Sequence, residues 1–163
     1  GARLRAALLV TRATPLRGSG DVAGGSAPGQ VRVVADHLNV SGGSLFPAPG
    51  MVSAGWDATL TERLGSLRGV SGSSVVALVP GPLRPSPAES RALVSLGADA
   101  AVTDSVAEAM VLASRGVAVS ALTYLDAPAA GGNLGRAQLS LRQASGVTLA
   151  AVEEILRSLR AGS

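Results

Sequence analysis

Five apolar runs punctuate the chain: Ala6–Val10, Val31–Ala35, Val75–Val79, Ala100–Val102 and Val117–Leu122. Most are continuous rather than alternating, the pattern of strands covered on both faces. Stretches with helical spacing separate them. Trp56–Leu67 is the first. The second opens at Ser86, which stands as N-cap, with Pro87 at the first helical position and Glu89 three residues after the cap, the spacing of a capping box. Leu93 and Leu96 of this helix are expected to face the core, and Gly97 to end it. Ser105 and Glu108 repeat the spacing, so Ser105 is expected to cap a helix over Val106–Ser114 that Gly116 closes. Thr148–Leu159 is the last helix, amphipathic, with Leu149, Val152, Ile155, Leu156 and Leu159 on one side.

Strands alternating with helices predict an α/β protein with a largely parallel sheet and right-handed crossovers. Ligands of such sheets bind beyond the carboxyl ends of the strands. That rule gathers Thr11–Gly20, Asp36–Gly43, Pro80–Ser86, Thr103–Ser105 and Thr123–Ala127 on one rim. Arg17–Gly29 and Ala127–Gly135 are rich in Gly, Ala and Pro and are expected to be loops. Their glycines match neither a Walker nor a dinucleotide fingerprint, since spacing and following helix are both wrong.

Composition narrows the classes. The 163 residues, 47% apolar, fit one domain over residues 1–163 with a core of Val, Leu and Ala, because aromatics are only 2%. The absence of cysteine excludes disulfides and thiolate metal sites, and nothing in the sequence calls for a metal or cofactor. No apolar run reaches the roughly 18 residues of a membrane span, and the first residues do not form a secretory signal, which predicts an intracellular protein without a membrane span. The 14 basic residues are all arginine, a habit shared with the Ala, Gly and Pro excess of GC-rich coding. They are scattered, the net charge is +3 and stacking aromatics are scarce, so no nucleic-acid partner is expected.

The stretch "GPLRPSPAESRALVSLGADAAVTDSVAEAMVLASRGVAV" resembles the second half of the trimeric purine nucleoside phosphorylases, which include methylthioadenosine phosphorylases. Gly81, Pro82, Ala88 and Glu89 match the family's Ala-Gly-Pro-x-Phe-Glu-Thr-x-Ala-Glu. Leu96 to Ala100 match its Leu-Gly-Ala-Asp-Ala, and Ser105, Val106 and Glu108 match its Ser-Thr-Val-Pro-Glu region. Upstream, Val33–Gly42 resembles the Asp-His-Ile-Asn-Leu strand and Leu45–Asp57 the Arg-Phe-Pro-x-Met-x-x-Ala-Tyr-Asp motif. The order is the family's, across about residues 6 to 160. The resemblance implies a three-layer α/β sandwich whose mixed, largely parallel sheet is flanked by helices. It also implies a homotrimer, and phosphorolysis, a pentosyl transfer from purine to inorganic phosphate. That chemistry requires donors for the phosphate, a desolvated sugar and a hydrogen-bonded purine.

Against those requirements the chain departs from the pattern. Arg84, Pro85 and Ser86 stand where the family's Phe-Glu-Thr anchors the purine. Thr103 and Asp104 replace the Met-Ser that gives a sugar contact and a phosphate-binding hydroxyl, and a carboxylate there repels phosphate. Ser105 remains beside it. The Ile-Thr-Asn that holds purine N7 aligns with Asp126-Ala127 in one register and with Tyr124 in another, and either Asp126 or Tyr124 is the candidate catalytic residue. The histidine near the sugar aligns with Ser145, and the loop between Gly42 and Leu45 is short. "TRATPLRGSG", Thr11–Gly20, replaces Asn-Ala-Ala-Gly-Gly, and the amino-terminal third with its Gly-Ser-Gly loop and Arg-x-His strand has no counterpart. His37, the single histidine, matches the Asp-His motif and is expected to be structural.

These departures predict a degenerate active site: a phosphorylase-like scaffold retained as a non-catalytic structural or regulatory subunit. Its partners would be other protein subunits or further copies of the chain. The alternative is an active nucleoside phosphorylase completed by another chain, binding phosphate and purine nucleoside. A third reading keeps a nucleoside or nucleotide bound without turnover. Under the second and third readings Arg84, Ser86, Asp104 and Ser105 are the candidate substrate-binding residues.

Overall fold

The structure, a computed structural model, describes residues 3–16, 28–42, 55–81, 84–126 and 134–161, with backbone alone for 134–141. Pro82, most of the Leu45–Asp57 motif and most of the two expected loops lie outside the described residues. Nine elements follow one another: β1 (Ala6–Pro15), β2 (Val31–Asn39), α1 (Ala58–Gly65), β3 (Val70–Leu78), α2 (Pro87–Ser95), β4 (Ala100–Val102), α3 (Val106–Ser114), β5 (Ala118–Leu125) and α4 (Leu134–Ala161). Helix α3 matches its predicted bounds. The helix after the prolines, α2, begins as expected at Pro87. Strands β1, β2, β3 and β5 outrun their apolar runs, and α4 takes in Leu134 and Gly135, which the sequence assigned to a loop.

The sheet is mixed. Pairs β1–β5, β2–β3 and β3–β4 are parallel, and β1–β4 and β2–β5 are antiparallel. These five pairings close the sheet into a barrel in the order β1-β4-β3-β2-β5. Strands β1 and β5 therefore run against β2, β3 and β4, so the carboxyl ends of the strands do not share one rim by direction alone.

Alternation along the strands sorts the core into two faces. Ala13, Val34, Val76, Leu78, Ala100, Val102, Val119, Ala121 and Leu125 line one face of all five strands, completed by Trp56 and by Val106 and Ala109 of α3. On the other face, Val31, Val33 and Leu122 bury Leu60 and Leu64 of α1 and Val147, Ala151 and Ile155 of α4. Ala77 and Ala101 take Leu93 of α2. Burial of side chains of this size, at roughly 25 cal/mol per Å² of apolar surface, is the main force holding the helices to the sheet.

Two expectations about helix faces are corrected. Leu96 is 64% exposed, because it is the C-cap residue of α2 rather than part of its last turn, and Gly97 at φ +95° turns the chain away. In α4 the inward row is Val147, Ala151 and Ile155; Leu149, Val152 and Leu156 face out. Ala151 lets the α4 backbone approach the sheet more closely than a row of leucines would. Among the described residues, no helix is long and apolar enough to cross a membrane.

Candidate functional site

The candidate residues meet because β1 continues past Val10. Its parallel ladder with β5 sets Thr11 opposite Thr123 and Arg12 opposite Tyr124. Thr11 and Thr123 are buried, while the Arg12 side chain is 76% exposed. At the end of β5, the Asp126 N–H donates to the Ala13 carbonyl (2.8 Å). That fixes the Asp126 carboxylate beside Arg12, whose Nη2 reaches both of its oxygens at 2.7 and 2.8 Å. Nη2 of Arg84, from the chain following β3, lies 3.7 Å from the same carboxylate. The hydrogen bond to Asp126, and then its charge, raise the Arg12 pKa above the ordinary guanidinium value.

A second carboxylate sits where β4 ends. Thr11 Oγ1 donates to Asp104 Oδ1 in a short hydrogen bond, and Ser105 Oγ donates to the same oxygen at 3.0 Å. Ser105 adopts φ +70°, the one non-glycine residue in the left-handed region among those described, and its side chain makes no capping bond to α3. The expectation that Ser105 caps this helix is thus overturned: its hydroxyl is turned onto Asp104. Close packing ties this turn to the exit of β3, since a Cβ on Gly81 would sit 3.2 Å from Thr103 Cβ.

Ser86 behaves as expected. Its Oγ accepts from the Glu89 N–H at 3.3 Å, and its own N–H donates to Glu89 Oε2 at 2.6 Å. Both hydrogen-bonding ends of the box are therefore engaged within the chain. A cavity of about 390 Å³ adjoins it, walled by Val40, Val79, Pro80, Ala92 and Leu93, with Arg84 and Glu89 as its charged groups. Tyr124 lies on the opposite strand face from Thr123 and packs with the cluster under α4; it is the ladder partner of Arg12, and of the two carboxy-terminal candidates it is Asp126 that bonds the Arg12 guanidinium. Ser145 is an exposed residue of α4. His37 accepts a hydrogen bond at Nδ1 from Trp56 Nε1 (3.3 Å). Burial lowers its pKa, with Asp36 opposing, which favours the neutral ring that this bond needs.

Thr11 and Arg12 were not singled out as functional residues in the sequence. The signal was available as alternation: in Thr11-Arg12-Ala13 the small residues flank one charged side chain, the period of a half-buried strand.

This arrangement of strands and helices is a nucleoside phosphorylase-like α/β fold. It is similar to a Schistosoma purine nucleoside phosphorylase in complex with hypoxanthine, at TM-score 0.68 and 18% identity over 93% of this chain and 61% of that one. The same enzyme with guanosine gives TM-score 0.67 and 18% identity over 91% and 61%. A mutant adenosine/methylthioadenosine phosphorylase in its apo form gives TM-score 0.72 and 14% identity over 91% and 65%. The chain spans less than two thirds of the length of each of these structures. No family model and no curated protein matches the chain.

Proposed function

We propose that this chain is a purine nucleoside phosphorylase-like protein with a degenerate site, a non-catalytic structural or regulatory subunit of a larger assembly. The single observation that carries the reading is Asp104. It stands where the resemblance puts the phosphate-binding hydroxyl, and the two neighbouring hydroxyls, of Thr11 and Ser105, both donate to its carboxylate. A phosphate arriving there meets a negative charge and donors already in use. The pairing of Asp126 with Arg12 supports the same reading, because both carboxylate oxygens already accept from Arg12 Nη2 and are engaged within the chain rather than turned to a purine. Helices α1 and α4 on one side and α2 on another support a layered arrangement of the phosphorylase type.

The test is turnover. The purified chain, with whatever co-purifies, is incubated with inosine, adenosine or methylthioadenosine and phosphate, and free base is measured by chromatography. The expected result is no base above the protein-free reaction. Phosphate-dependent release at an enzyme-like rate by this chain alone overturns the proposal, and release only when a co-purifying chain is present selects the alternative of an enzyme completed by another subunit.

A further inference from the structure

The cavity beside the start of α2 shares only Arg84 with the cluster around Asp126. Val40, Val79, Pro80, Ala92 and Leu93 give it apolar walls, and its two charged groups, Arg84 and Glu89, are of opposite sign. Val79 and Leu93 belong to the apolar cluster between α2 and the sheet, so the fold itself fixes this floor. Both charges keep bonding capacity. The Arg84 side chain is half-exposed, and at 3.7 Å from Asp126 its Nη2 is outside hydrogen-bond distance. That carboxylate already accepts from Arg12. Among the described residues Glu89 is bonded by Ser86 alone, which lowers its pKa and holds it ionised. A carboxylate has about four acceptor positions, so Glu89 can accept from a further donor.

We propose that this cavity binds a free apolar α-amino acid of the size of leucine. Its α-carboxylate meets Arg84, its α-ammonium meets Glu89, and its side chain lies against Val40, Val79, Pro80 and Leu93. Charge complementarity selects this occupant. An aliphatic acid would satisfy Arg84 but set its own charge against Glu89, and an aliphatic amine would do the reverse. A neutral base or nucleoside would leave both ions without a counter-charge. A zwitterion without an apolar side chain would leave the walls in contact with water. The cavity volume of about 390 Å³ is at the small end of ligand sites, which fits one amino acid rather than a peptide.

This inference goes beyond the subunit reading and does not depend on it; its test reads binding rather than turnover. Isothermal titration of the full chain with L-leucine is expected to give a Kd of about 0.1 mM, ordinary for so small a ligand. L-Leucinamide, which lacks the carboxylate, and 4-methylpentanoate, which lacks the amine, each bind about tenfold more weakly or worse, and glycine gives no heat. Arg84→Gln weakens leucine about tenfold and leaves the affinity for leucinamide unchanged, because the group it would have met is absent from that ligand. Ala92→Phe, at an exposed position of α2, fills the cavity and abolishes leucine binding without lowering the thermal midpoint. Absence of heat with leucine at about 10 mM overturns the proposal. So does an analogue missing one charge that binds as tightly as leucine, leucine binding indifferent to Arg84→Gln or to Ala92→Phe, or displacement of leucine by inosine.

Discussion

Two turns of this molecule carry the same local signature and resolve it differently. Ser86 before α2 is followed by Glu89 in its first turn, and Ser105 before α3 by Glu108 in its first turn, each helix nine residues long. At α2 the capping box closes in both directions. At α3 the serine is in the left-handed region and caps nothing. The local sequence licenses a cap in both places; what differs is a contact from 93 residues away, Thr11 on β1 bonding Asp104. Asp104 gathers the hydroxyls of Thr11 and Ser105, and Ser105 is drawn out of capping geometry. A left-handed serine costs about 1–2 kcal/mol and a lost cap about 1 kcal/mol. Strain of that size persists only where the surroundings over-determine it, and at the α3 turn the over-determining contact is the one from Thr11 to Asp104.

The sharpest way to break the comparison is at Thr11. Thr11→Val removes the donor that anchors Asp104, and is expected to destabilise by about 1.5 kcal/mol, as for a hydrogen bond to a charged group, measured by urea unfolding. The same substitution one strand over is the control. Thr123 faces Thr11 across the ladder, but its buried Oγ1 has no hydrogen-bond partner among the described residues. Thr123→Val is therefore expected to be neutral or to stabilise by up to about 1 kcal/mol. If both variants lose the same stability, the Asp104 contact is not what separates the two turns.

Smaller effects come from the caps themselves. Ser86→Ala is expected to cost about 1 kcal/mol. A double-mutant cycle between Ser86 and Glu89 should show a coupling of about 0.5 kcal/mol or more, one between Ser105 and Asp104 the same, and one between Ser105 and Glu108 none. Measurable coupling in the last pair would mean that the α3 box closes in solution.

What could be read from the sequence follows the same division. The start of α2 was legible because adjacent residues determine it, whereas the bounds of α3 agree although the serine cap they were read from does not form. The strands were cut short wherever a polar residue interrupted an apolar run: at Thr11 and Arg12 in β1, at Asp36 and His37 in β2, and at Ser71 to Ser74 in β3. Ladder bonding in a closed barrel holds such residues in strands that hydrophobicity does not mark. The candidate positions Arg84, Asp104, Ser105 and Asp126 were legible through resemblance, but their pairing was not, since the partners Thr11 and Arg12 lie on the unrecognised half of β1. The stripe of α4 was legible as a stripe, and only packing showed that its smaller neighbours, Val147 and Ala151, take the inside.

The finest test of the comparison is the titration of Glu89. Its pKa is lowered, first by the Ser86 backbone N–H and then by the Ser86 side chain. A carboxyl depressed in the folded state contributes stability above its unfolded pKa and loses it as pH falls through the folded one, so the box weakens only on the acid side of the ordinary glutamate range. Because the backbone donor comes first, Ser86→Ala should return Glu89 only part of the way toward its ordinary value, while Glu89→Gln should remove this step from the acid limb altogether. Carboxyl-selective NMR titration reads both. Should Glu89 titrate like a free glutamate in the unaltered chain, the α2 box is open in solution, and the distinction between the two turns collapses to the backbone of Ser105.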